Sequence, residues 1–314
     1  MKARTTALCS ARLLARGSRF AALYLAFLAF GIACLIGAPL GFAQNAYITN
    51  NASATVSVID TATNTVTATI HVGSNPLGVA VSPVGSKVYV TNNNSFFGNS
   101  VSVIDTATNT VTATIHVGSN PLGVAVSPDG SKVYVANLGD GSVSVIDTAT
   151  NAVTATITVG SNPSGVAVSP DGSKVYVANN GDGSVSVIAT ATNTVTTTIT
   201  VGTSGSGPFG VAVSPDGRKV YVANMGDGSV SVIDAATNAV TATITDTSFD
   251  GPLAFGVFII RPSFAGTPRF SNCTGVSASA LSIQYGGTLG AAAAALGFPS
   301  VQALQNAIRA FCGR

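Results

Sequence analysis

The chain has 314 residues, 46% of them hydrophobic and only 8% charged, with no Trp and no Glu. Downstream of residue 43 the apolar residues are mostly Val and Ala interleaved with Thr, Ser, Asn and Gly. That is strand and turn chemistry, with no run of about 18 apolar residues to span a bilayer. The formal charge of +2 rests on five basic residues before position 20; without residues 1–43, nine basic groups face twelve acidic ones. No electrostatic basis for binding nucleic acid remains.

Residues 1–19 are basic, and residues 20–43 are uncharged and end in Gly41-Phe42-Ala43, a small–x–small stretch ahead of Gln44. This is the layout of a secretory signal, so residues 1–43 are expected to direct export to the periplasm, cell surface or medium. The alternative is an uncleaved anchor, with residues 20–43 holding the chain in the inner membrane. Gly-Ile-Ala-Cys at 31–34 is a weak match to a lipidation box, lacking the Leu three residues before Cys34.

From residue 44 to residue 260 one pattern repeats. The string VYV-[TA]-N recurs at Tyr89, Tyr134, Tyr176 and Tyr221, with AYITN at Tyr47 as its first copy, at spacings of 42, 45, 42 and 45 residues. Each copy is followed by SVSVID or a close variant, then TATN-x-V-T-x-TI, then VGSNP-x-GVAVSPDGSK or a variant. Four short runs of strand formers, separated by Pro-Asp-Gly, Gly-Asp-Gly and Asp-Thr-Ala-Thr-Asn turns, make an antiparallel four-stranded unit. Four strands in about 43 residues, copied several times, are the signature of propeller blades.

The second, third and fourth strand types each occur five times, and the first type recurs in degenerate form at Gly256–Ile260. The reading is a five-bladed all-β propeller in which 256–260 closes the first blade; an open array that dimerises is the alternative. Residues 261–272 read as a linker and residues 273–314 as a small helical module. Ser300 would cap a final helix carrying Val301, Leu304, Ile308 and Phe311 on one face. Cys273 and Cys312, the two cysteines left after processing, are expected to form a disulfide that staples this tail.

VYVTN, the SVSVID strand and the VSPDG-x-x-VYV link resemble the bacterial and archaeal YVTN-repeat β-propellers. These are relatives of the WD-repeat propellers and are similar to archaeal surface-layer proteins. The resemblance covers residues 46–260 and implies the propeller fold; the family hosts many roles, so it implies no single activity.

Candidate chemistry is sparse. His71 and His116 occupy equivalent TIHVG positions without a third histidine, too few ligands for a metal centre. Asp140, Asp182 and Asp227 bring one carboxylate per Gly-Asp-Gly turn, and calcium needs about six oxygens or more. The lysines Lys87, Lys132, Lys174 and Lys219 read as a solvated rim. No metal and no cofactor is expected, and the balance leans away from an enzyme.

A single asymmetric site must use positions that differ between copies. These are Phe96 and Phe97 in the longest insertion, Leu138, Asn180, Phe209 and Met225, with Leu77, Leu122 and Ser164 in the companion loops. They are expected to ring one mouth of the propeller as a binding rim for a protein, glycan or small ligand. The first expectation is therefore a non-enzymatic exported binding propeller. The alternatives are a periplasmic enzyme or redox accessory, as in propellers resembling lactonases or haem-associated proteins, and a structural surface-layer component.

Overall fold

A computed structural model describes residues 45–93, 99–202, 205, 207–252 and 300–312. The first sheet has three strands, β1 (Asn45–Asn50), β2 (Thr55–Asp60) and β3 (Thr65–His71), in that order. The second has four: β4 (Pro76–Val81), β5 (Lys87–Asn92), β6 (Ser100–Asp105) and β7 (Thr110–His116). The third is β8 (Pro121–Val126), β9 (Lys132–Asn137), β10 (Ser142–Asp147) and β11 (Ala152–Thr158). The fourth is β12 (Pro163–Val168), β13 (Lys174–Asn179), β14 (Ser184–Ala189) and β15 (Thr194–Thr200). The fifth is β16 (Pro208–Val213), β17 (Lys219–Asn224), β18 (Ser229–Asp234) and β19 (Ala239–Thr245). Each is an antiparallel meander, and together they are the five expected blades. The segment expected to close the first blade, 256–260, lies outside the described residues, as do the signal, the linker and Phe96 and Phe97.

Among the described residues, Asn45, Ala46 and Ile59–Thr65 group apart from the remainder, which forms one compact unit. The smaller group holds the first Asp-Thr-Ala-Thr-Asn turn. There Asp60 Oδ1 accepts the amides of Ala62 and Thr63, and Asn64 takes a left-handed φ of 55°. Asp105, Asp147 and Asp234 repeat this arrangement in the larger unit. Ala189, which lacks a carboxylate, keeps the turn through Asn193 at φ 53°.

Within the larger unit, why the repeat builds blades follows from burial. The middle strands are apolar on both faces because each lies between two neighbouring sheets: Tyr134, Val143, Val145 and Ile157 of the third sheet meet Val166, Val175, Val177 and Ile188 of the fourth. The outermost strands β7 and β15 alternate exposed Thr with half-buried Val, Ala or Thr, as an edge strand should. The asparagine ending each VYVxN string is a strand tie. Asn137 Nδ2 donates to Ser142 Oγ (3.0 Å) and Ser144 Oγ (2.9 Å), and Asn92, Asn179 and Asn224 repeat it.

At one glycine of each of β4, β8 and β12 the next inner strand approaches so closely that no Cβ fits. A Cβ on Gly123 would lie 2.3 Å from the Ser164 carbonyl oxygen of the next sheet, and Gly78 and Gly165 occupy equivalent positions. The one described helix, α1 (Val301–Cys312), starts as expected: Ser300 Oγ accepts the Ala303 amide, and Leu304 and Ile308 are fully buried. Among the described residues there is no disulfide, and Cys273 lies outside them. The expected Cys273–Cys312 pairing therefore falls outside the described residues.

Candidate functional site

The rim residues fall where the loops before the inner strands meet the turns after the second strands. The amides of Leu138, Asn180 and Met225 donate to the carbonyls of Asn120, Asn162 and Gly207, so each turn is zipped to the loop of its own sheet. Leu138 and Asn180 are half-buried and Met225 is 38% exposed. Leu122 and Ser164 are buried instead, and Ser164 Oγ donates to the Phe209 carbonyl of the next sheet. Asn180 Nδ2 is buried without a hydrogen-bond partner among the described residues, and a Cβ on Gly207 would meet it at 3.2 Å.

The carboxylates of the Gly-Asp-Gly turns are spent locally. Asp140 Oδ2 accepts the Ser119 amide, Asp182 Oδ2 the Ser161 amide, and Asp227 Oδ1 the Ser229 hydroxyl. Among the described residues no three metal-ligating side chains gather, and His71 and His116 stand exposed on outer strands.

A concave site lies on the opposite rim, between the third and fourth sheets. It is a cleft of about 400 Å³ lined by Ser127, Pro128, Asp129, Ser131, Lys132 and Tyr134 of the third sheet and Asp171, Gly172 and Thr190 of the fourth. The Ser-Pro-Asp-Gly-Ser-Lys turn builds most of it. Proline sets the first corner, and Gly172, at φ +73°, completes the neighbouring turn in a conformation that a side chain would strain.

Asp129 Oδ1 accepts Ser127 Oγ and the Ser131 amide (3.0 Å), and its Oδ2 accepts Ser131 Oγ (2.8 Å). Asp171 is held in the same way by Ser169 and Ser173. The serine hydroxyl bond, then the backbone amide, hold both carboxyls down at about 2. They stay ionised at neutral pH, able to accept hydrogen bonds from a ligand but poorly matched to removing protons.

The acid response follows from the sign of these shifts. A folded-state value below the ordinary 3.8 means the unfolded chain binds more protons, so the stabilisation is complete above about pH 4 and is lost as pH falls towards 2. The melting temperature of the D129N/D171N double variant is expected to fall less steeply than that of the parent between pH 5 and pH 2.5. Parallel curves would show that the two turns contribute nothing to acid sensitivity.

Three of the four lysines are not part of a solvated rim; Lys219 alone is exposed. Lys132 Nζ reaches across the cleft to the Thr190 carbonyl (3.3 Å), Lys87 to Thr148 (3.1 Å), and Lys174 to Ala235 (2.6 Å). Each fastens its own sheet to the next, a role hidden in sequence because the partners lie 58 to 61 residues apart. In the cleft Lys132 is the cation that lines the wall beside Asp129 and Asp171. One signal could have marked this cleft: Val84 stands where Asp129, Asp171 and Asp216 recur, so the second sheet's turn brings no carboxylate to its junction with the third.

The model of the lactonase family, a seven-bladed β-propeller, matches residues 45–156 and 146–254. The chain belongs to the lactonase family. That membership corrects the expectation of a non-enzymatic scaffold, which rested on the scarcity of histidine and the absence of glutamate. It also sets the repeats among lactonase-like propellers rather than in the YVTN group specifically.

The family is described with seven blades, where this lactonase-family chain forms five described sheets. A 40-residue stretch is 65% identical to the PE-PGRS family protein PE_PGRS18 of Mycobacterium tuberculosis (strain ATCC 25618 / H37Rv) and covers 13% of this chain and 9% of that protein's length. Among solved structures, hydrazine synthase of Kuenenia stuttgartiensis aligns with a TM-score of 0.50 and 24% identity over 61% of this chain and 73% of that one. A functionally unknown protein from Desulfotomaculum acetoxidans DSM 771 aligns with a TM-score of 0.57 and 20% identity over 67% and 68%. At such identities the likeness is one of fold.

Proposed function

We propose that this lactonase-family chain is an exported enzyme that opens a small cyclic ester in the cleft between its third and fourth sheets. Family membership over residues 45–254 carries the reading, and a cavity of about 400 Å³ with a cation on its wall gives it a place. In ring opening, the oxygen of water bonds to the acyl carbon, the ring C–O bond breaks, and the ring oxygen takes up a proton to leave a hydroxy acid. Negative charge develops on the carbonyl oxygen, and Lys132 is the group placed to stabilise it. Asp129 and Asp171, ionised and surrounded by hydroxyls, suit a substrate that carries its own hydroxyl groups, such as a sugar lactone. The basic, then apolar, leader at residues 1–43 supports export, and among the described residues no helix is long and apolar enough to cross a membrane.

The test is hydrolysis of a panel of simple and hydroxylated lactones, followed by acid release. K132M is expected to lower kcat/KM by roughly a hundredfold, the scale of losing one oxyanion donor. K87M removes the same kind of inter-sheet bond at the preceding junction, where Val84 replaces the aspartate, and is expected to leave the rate within twofold. Equal rates for K132M and the parent, or no turnover of any lactone, would overturn the assignment.

A further inference from the structure

Every internal junction in the larger unit pairs the same two faces. One face presents the strand-two tyrosine, two valines of strand three and the isoleucine of strand four; the other presents valines of strands one and two and the isoleucine ending strand three. The first sheet meets the second in the same way, with Tyr47, Val56, Val58 and Ile70 against Val88, Val90 and Ile104. At these four junctions the contact is complete: Ile70, Ile115, Ile157 and Ile199 are 5–6% exposed, and Val90, Val135, Val177 and Val222 are fully buried.

The pattern breaks at both ends of the series, on opposite faces. Ile244 of β19 stands where those isoleucines stand, yet it is 45% exposed, and its companions Tyr221 and Val230 are only half-buried. Ile48 of β1 stands where those valines stand, yet it is 50% exposed, with Val66 of β3 open as well. The lysine clasp breaks off at the same place. Lys219 is exposed and makes no bond of the kind formed by Lys87, Lys132 and Lys174 among the described residues.

We infer that the fifth sheet's open face docks on the first sheet's open face of a second copy of this chain, repeating in trans the junction formed four times within it. The occupant is specified by the chain itself. The face that covers Ile70, Ile115, Ile157 and Ile199 is built on the second-strand valines Val90, Val135, Val177 and Val222, and the equivalent position left uncovered is Ile48, on the first of the three described strands of the first sheet. The two faces differ, so the contact is head-to-tail, and each added copy again leaves one face of each kind open. The proposal is independent of the catalytic reading, because Ile48 and Ile244 lie outside the cleft.

The heterologous form of the contact gives a test that a nonspecific association cannot pass. The purified full chain is expected to show, by sedimentation velocity, a mass that rises with concentration. I48E and I244E, each charging one face, are each expected to stay monomeric, with strand circular dichroism and melting temperature unchanged because both positions are exposed. Mixed in equal amounts they are expected to form a dimer and nothing larger, since each supplies the face the other has lost. The Thr variants at both positions, milder in charge and β-compatible, provide the same comparison should either Glu variant fail to fold. A parent chain that stays monomeric, a mixture that stays monomeric, or association that neither variant alters would each overturn the inference. A monomeric parent whose melting temperature drops in both variants would instead place the two faces against each other within one chain, and would overturn it too.

Discussion

Alanine at Gly123 is expected to destabilise the chain by about 3 kcal/mol or more, the upper range for forcing extra atoms into a packed interior. The added Cβ would sit 2.3 Å from the Ser164 carbonyl oxygen, 3.1 Å from the Val166 nitrogen and 3.3 Å from the Gly165 Cα. All three are backbone atoms of an inner strand, with no flexible side chain to swing aside. The third and fourth sheets would have to move apart, loosening the apolar cluster of Tyr134, Val143, Val145, Val175 and Val177 behind them. Urea unfolding measures the loss; a change below about 1 kcal/mol would mean that the strands yield more easily than close-packed interiors do.

Tyr176 offers a contrast within one side chain. It is fully buried between the fourth and fifth sheets with Val185, Val187, Val211 and Val220. Y176A is expected to cost about 3–5 kcal/mol, as aromatic-to-alanine changes in cores do. Y176F should cost nothing and could add about 1 kcal/mol, because the hydroxyl it removes is buried with no hydrogen-bond partner among the described residues. Burial, then the nearby Asp171 and Asp234 carboxylates, raise the phenol above its ordinary value, so it stays protonated at neutral pH. A Y176F chain as unstable as Y176A in the same denaturant series would assign the hydroxyl a partner and reverse this account.

The blades were legible because local rules repeat in the sequence. Alternation, Pro-Asp-Gly and the Asp-led turns mark strand ends within a few residues, and Asn64, Asn109, Asn151, Asn193 and Asn238 take left-handed φ at the same place in each copy. The helix start at Ser300 was legible for the same reason, as a cap acting over three residues. What escaped was action across copies. Lys132 looks like any surface lysine until Thr190 is placed beside it, and Ser164 looks like a variable loop residue until its hydroxyl is seen to hold the next inner strand. The cleft escaped because its residues are the repeated ones. A search for asymmetry favours Asn180, Phe209 and Met225, whereas the concave surface is made where two common turns stand side by side.

The meander order of the sheets has a consequence for how the chain reaches its native state. Each described sheet takes its strands from one uninterrupted stretch, so strand pairing spans tens of residues rather than hundreds and low contact order favours rapid assembly. Neighbouring stretches are also nearly interchangeable, and a hairpin from one can enter its neighbour's sheet in perfect register. The hazard in this molecule is therefore swapping between adjacent modules, and end-first emergence, which lets one sheet finish before its twin appears, is the natural protection against it.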